Sequence, residues 1–173
     1  MMTWLVMVLI LIGSAVMQTV LPAFAFLGQA KFPVLLGVVL YYALNWNMTT
    51  MLIAAFFAGF LYDVLSPVPL GYSALCFCAI GWIAASFRNL ILIDSVVTPV
   101  FFGAVAGVGF TLGLYVLLAK DGLVVYPAGW VVLKAVGTGI LGMICTPVIF
   151  HLAWGFDRIV GNVDVKESID GVE

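Results

Sequence analysis

The chain has 173 residues, of which 65% are hydrophobic and 8% charged, and its mean hydropathy is +1.28. Soluble domains carry about a quarter charged residues and about half apolar ones, so this composition excludes a soluble globular enzyme, a nucleic-acid-binding module and a disordered tail. Six Lys and Arg against eight Asp and Glu give a net charge of -2 and no basic patch for a nucleic acid's phosphates.

A spanning helix needs about 20 mainly apolar residues. Cutting the chain at charges, prolines and polar clusters leaves six segments, 3–21, 32–44, 49–65, 71–87, 96–119 and 130–154. The expected fold is an all-α integral membrane protein, a six-transmembrane-helix bundle over residues 1–158, followed by a polar acidic C-terminal tail over 159–173. The first segment lacks the basic start of a signal peptide and reads as a retained span, although Ala23-Phe24-Ala25 loosely resembles a cleavage site. The second is short, bounded by Lys31-Phe32-Pro33 and Asn45-Trp46-Asn47, which fits local bilayer thinning or a partly re-entrant helix. Ser66-Pro67-Val68-Pro69 forms a two-proline turn after the third segment, and 88–94 a polar hinge after the fourth. From Asp157 onward the chain turns polar. Lys and Arg are nearly balanced between the two sides, and Arg88 and Arg158, each close behind a span, favour both termini in the cytoplasm.

Small residues four apart, at Gly103 and Gly107, Gly109 and Gly113, Ala55 and Gly59, and Gly81 and Ala85, put small faces on the helices and read as internal packing. Gly137, Gly139 and Gly142 thin the sixth helix in the same way. Cys76, Cys78 and Cys145 lie inside apolar runs, as buried small hydrophobes rather than disulfide or zinc ligands.

Few polar side chains fall within the segments. Asp63 lies two residues before the end of the third, where an acid is tolerable only near an interface or with a partner. It reads equally as a contact for a partner, ligand or proton and as a helix-end acid tying down the proline turn. Lys134, one turn into the sixth segment, either pairs with Asp63 or extends its ammonium to the interface, the second being favoured. Gln18, near the end of the first segment and before Pro22, can hydrogen-bond across helices. Gly71-Tyr72-Ser73-Ala74 and His151 superficially resemble the serine and histidine of rhomboid proteases. However, Ser73 starts its span and His151 lies near the end of one running the same way, far beyond hydrogen-bond reach. No catalytic constellation, cofactor or metal site is expected.

The stretch Gly59-Phe60-Leu61-Tyr62-Asp63-Val64-Leu65-Ser66-Pro67-Val68-Pro69-Leu70-Gly71-Tyr72-Ser73-Ala74-Leu75 resembles the central signature of the bacterial rod shape-determining MreD family. Gln18-Thr19-Val20-Leu21-Pro22 is similar to the end of that family's first helix, and 31–44 to its second, with Lys31-Phe32-Pro33 standing where Arg-Pro-Asp is expected. The resemblance covers the first half of the chain; beyond Arg88 only length and hydropathy agree. It implies a non-enzymatic, multi-pass component of the bacterial inner (cytoplasmic) membrane, in the machinery for cell elongation and lateral peptidoglycan synthesis. The implied partners are membrane lipid and the single-span periplasmic scaffold MreC, with the actin-like MreB and the synthases RodA and PBP2 beyond it. By the same analogy the bundle is similar to the substrate-binding subunits of energy-coupling-factor transporters, which makes a vitamin-transporter subunit the alternative. The expected docking surface is a rim formed by Gln18, Pro22, Asp63, Pro67, Pro69, Leu70 and Gly71.

Overall fold

The computed structural model describes residues 2–22, 28–88, 97–122 and 127–159. They form six helices: α1 (Met2–Val20), α2 (Val34–Asn45), α3 (Met48–Leu65), α4 (Tyr72–Phe87), α5 (Val97–Lys120) and α6 (Ala128–Ile159). Every segment expected from the sequence is helical, with ends displaced by a few residues. By length and composition, Met48–Leu65, Val97–Lys120 and Gly129–Arg158 are long and apolar enough to cross a membrane, whereas Val6–Val20, Val34–Asn45 and Tyr72–Phe87 are shorter apolar helices. The arrangement is that of a membrane helical bundle. The tail expected from 159 onward lies outside the described residues, apart from Ile159 at the end of α6.

The short second helix, α2, is the centre of the bundle. It packs against each of the five other helices, and every residue from Val34 to Leu44 is buried. Its sequence, VLLGVVLYYALN, is apolar on all sides, the pattern of a helix enclosed by protein. At about 1.5 Å per residue it measures about 18 Å, well short of a hydrocarbon layer of about 30 Å.

Around α2, α3 with α4 and α5 with α6 form antiparallel pairs at close range, because glycine lets their backbones meet. In α3 and α4, a side chain at Gly59 would collide with the backbone N and Cα of Ala74. In α5 and α6, Gly103 lies on Gly142 and Thr146, and Gly107 on Thr138. Gly81 meets Met51 and Val39. Gly109 does not follow the expectation of internal packing, since nothing lies within 4 Å of a side chain placed there. Between the α3–α4 and α5–α6 pairs, Tyr62, Phe77 and Phe110 form an aromatic triad with centroids 4.9–5.9 Å apart.

Gly59→Ala is expected to lower unfolding stability in mild detergent by at least about 1–3 kcal/mol, because backbone cannot yield as a flexible side chain can. Gly109→Ala is expected to change it by less than about 1 kcal/mol. Parallel denaturation of the two variants checks the contrast.

Candidate functional site

The expected rim begins at Asp63, which is 3% exposed. Its side chain joins α3 to the start of α4: Oδ2 accepts from the Gly71 N–H at 2.7 Å, and Oδ1 from the Ser73 N–H at 3.1 Å. These are unpaired donors of the first turn of α4, where a negative charge is also favoured by the helix dipole. The acid therefore acts as an N-cap supplied by the preceding helix. Gly71, at φ +100°, occupies a left-handed conformation that an L side chain would strain. The turn between is held by Ser66 N–H to the Asp63 carbonyl (3.3 Å) and Val68 N–H to the Ser66 carbonyl (2.7 Å).

The alternative pairing of Asp63 with Lys134 is not formed among the described residues. Lys134 lies with its backbone against Gly28 and has Lys31 as its charged neighbour. The turn holds its acid inward and its apolar side chains outward. Leu70 is 64% exposed and Val64 59%, and Leu65, Pro67 and Pro69 are also exposed. Beside them the Tyr72 hydroxyl donates to Asp121, tying the turn to the end of α5.

Gln18 has a different task. It is buried, and its Oε1 accepts from the Leu35 N–H at 3.1 Å, capping α2 from α1 because Pro33, the residue before α2, offers no side-chain cap. Pro22 is exposed just beyond α1. The structure thus joins Asp63 to Gly71 in one capped turn and assigns Gln18 to the core.

At the other end of α2 lie residues that sequence reasoning missed. Arg88 Nη1 donates to the carbonyl of Trp46, the residue that ends α2, at 2.6 Å, and Asn45 Nδ2 folds back on the Tyr41 carbonyl one turn earlier at 3.0 Å. Asp157 does not begin a solvated tail; it is 1% exposed, and its Oδ2 accepts from the Tyr41 hydroxyl at 2.6 Å. Tyr41 is held edge-on to Phe150 at 5.4 Å. The signal for Asp157 was present in its register: Thr146, Ile149, Ala153 and Asp157, spaced 3, 4 and 4, are all buried on one face of α6.

Ser73 is fully buried and His151 is exposed beside Trp154 on α6, so no nucleophile and base are brought together. Among the described residues no cluster of His, Cys, Asp or Glu could hold a metal.

A family model described as rod shape-determining protein MreD matches residues 1–152. That match extends well past Arg88, where the recognisable motifs end, and takes in α5 and most of α6. Neither the curated proteins nor the solved structures provide a match, so the expected likeness to energy-coupling-factor subunits has no support from a solved fold.

Gln18→Leu would leave the Leu35 N–H unpaired in the core and is expected to cost about 1–3 kcal/mol of stability. Tyr41→Phe is expected to cost a similar amount in the native chain and much less in an Asp157→Leu background. A double-mutant cycle in mild detergent measures that coupling.

Proposed function

The chain belongs to the MreD family of rod shape-determining membrane proteins, and from that premise we propose that its capped α3–α4 turn docks the single-span scaffold MreC. Membership gives the chain a structural role in rod shape determination and in the MreB and MreC machinery. The finer reading is a multi-pass protein of the bacterial inner membrane with both termini in the cytoplasm. It would hold MreC at this turn and through it help organise lateral peptidoglycan synthesis by RodA and PBP2.

What supports the reading is the way Asp63 is used. A buried carboxylate closing two backbone N–H groups fixes a short loop whose outer surface is nonetheless apolar. Exposed Leu70, Pro67 and Pro69 on a hydrogen-bonded turn suit a protein contact better than they suit water. In this account Leu70, Pro67 and Pro69 touch the partner, Asp63 and Gly71 set the shape of the turn, and Gln18 contributes by fixing α2. Pro22 extends the surface from α1.

Leu70→Asp is expected to abolish copurification of MreC from the native host while leaving helical content and melting behaviour near those of wild type. Asp63→Ala is expected to weaken copurification and to lower stability as well. Undiminished recovery of MreC with Leu70→Asp would contradict docking at this turn.

A further inference from the structure

A second surface lies away from the turn, between α1 and α6. A groove of about 150 Å³ opens there, with Leu21, Phe32 and Val34 on one wall and Cys145, Val148 and Leu152 of α6 on the other. Its lining is wholly apolar. It is too slim for another helix, whose diameter with side chains is about 10 Å.

Two lysines stand above one end. Lys31 immediately precedes Phe32 of the groove wall and is exposed. Lys134 is exposed on α6, and its backbone lies against Gly28, three residues before Lys31: a side chain placed at Gly28 would meet the Lys134 N at 3.1 Å. Cys145 and Leu152 follow Lys134 by 11 and 18 residues, which at about 100° per residue returns to nearly the same helix face. Lys134 therefore lies in line with the groove, about 16 Å along α6 from Cys145. Like charges held together disfavour one another, and among the described residues neither lysine makes an ion pair.

From this juxtaposition we propose that the α1–α6 groove is a binding site for an anionic phospholipid, its acyl chain against Val148 and Leu152 and its headgroup phosphate between Lys31 and Lys134. Two ammonium groups beyond one end of an apolar slot match a molecule that is anionic at one end and hydrocarbon at the other. Such basic positions beside helices are a known mode of headgroup recognition. This site is separate from the α3–α4 turn and does not depend on a partner there.

The test is native mass spectrometry of the full chain released from detergent containing equal phosphatidylglycerol and phosphatidylcholine with the same acyl chains. Wild type is expected to retain phosphatidylglycerol preferentially, and the preference to fall as ionic strength rises. Lys31→Gln with Lys134→Gln is expected to reduce it roughly thirtyfold, the order for losing two surface lysines beside an anionic headgroup. Val148→Trp, which fills the groove, is expected to release both lipids. Equal retention of the two lipids by wild type, a preference unaffected by salt, or a preference surviving the double substitution would overturn the proposal. Glycerol phosphate displacing phosphatidylglycerol as effectively as the lipid itself would overturn it too, by showing that the lysines read a free phosphate. The salt series uses wild type alone and stands even if a variant fails to fold.

Discussion

The first four N–H groups of a helix and its last four carbonyls have no partner within it, and α2 is buried from Val34 to Leu44. The chain meets that constraint with side chains borrowed from other helices. Gln18 of α1 accepts from Leu35 at one end, and Arg88, directly after α4, donates to Trp46 at the other. Asp157 of α6 holds Tyr41 in between. Gln18 and Arg88 thus serve backbone groups at the ends of α2, as expected wherever little water can substitute, while Asp157 serves a side chain and keeps its Oδ1 unpartnered.

The same solution recurs at α4. Asp63 closes the Gly71 and Ser73 N–H groups from the end of α3, and Gly59 lets α3 approach Ala74 closely enough to align the two helices. In both places a side chain near the end of one helix caps the beginning of the next. The cap at α4 has a second consequence, because satisfying the acid internally leaves Pro67, Pro69 and Leu70 as the most exposed side chains of the turn. The surface offered to a partner is in this sense a product of the internal hydrogen bonding.

Much of this was legible in the sequence. The six helices follow from apolar runs broken at Pro, Asn and charged residues, and the Asp63 turn stands out because an acid and two prolines interrupt hydrocarbon. The rank of α2 was not legible. Shortness argued for a marginal helix, and in a chain where every helix is apolar all round, hydrophobic periodicity does not separate a central helix from one facing lipid. What marks α2 is the absence of Phe, Trp and Ile, which crowd the exposed faces of α1, α3 and α4. The role of Asp157 was not legible for a related reason. It opens a run of polar residues along the chain, but its helical register places it with Ile149 and Ala153 inside the bundle. Gln18 was read correctly as a cross-helix hydrogen bond, though its acceptance from a backbone N–H depends on Pro33, a coupling visible only in three dimensions.

The central claim is that α2 is the buried axis of the bundle, enclosed from Val34 to Leu44 and met at each end by a side chain from elsewhere in the chain. Hydrogen exchange of the full chain in lipid nanodiscs, read by mass spectrometry over residues 34–45, tests it most directly. The account predicts that these amides exchange last, with opening of Leu35 to Leu44 accompanying global unfolding. Exchange of α2 ahead of α3 and α5, from either end inward, would show that its termini reach water and would contradict the account.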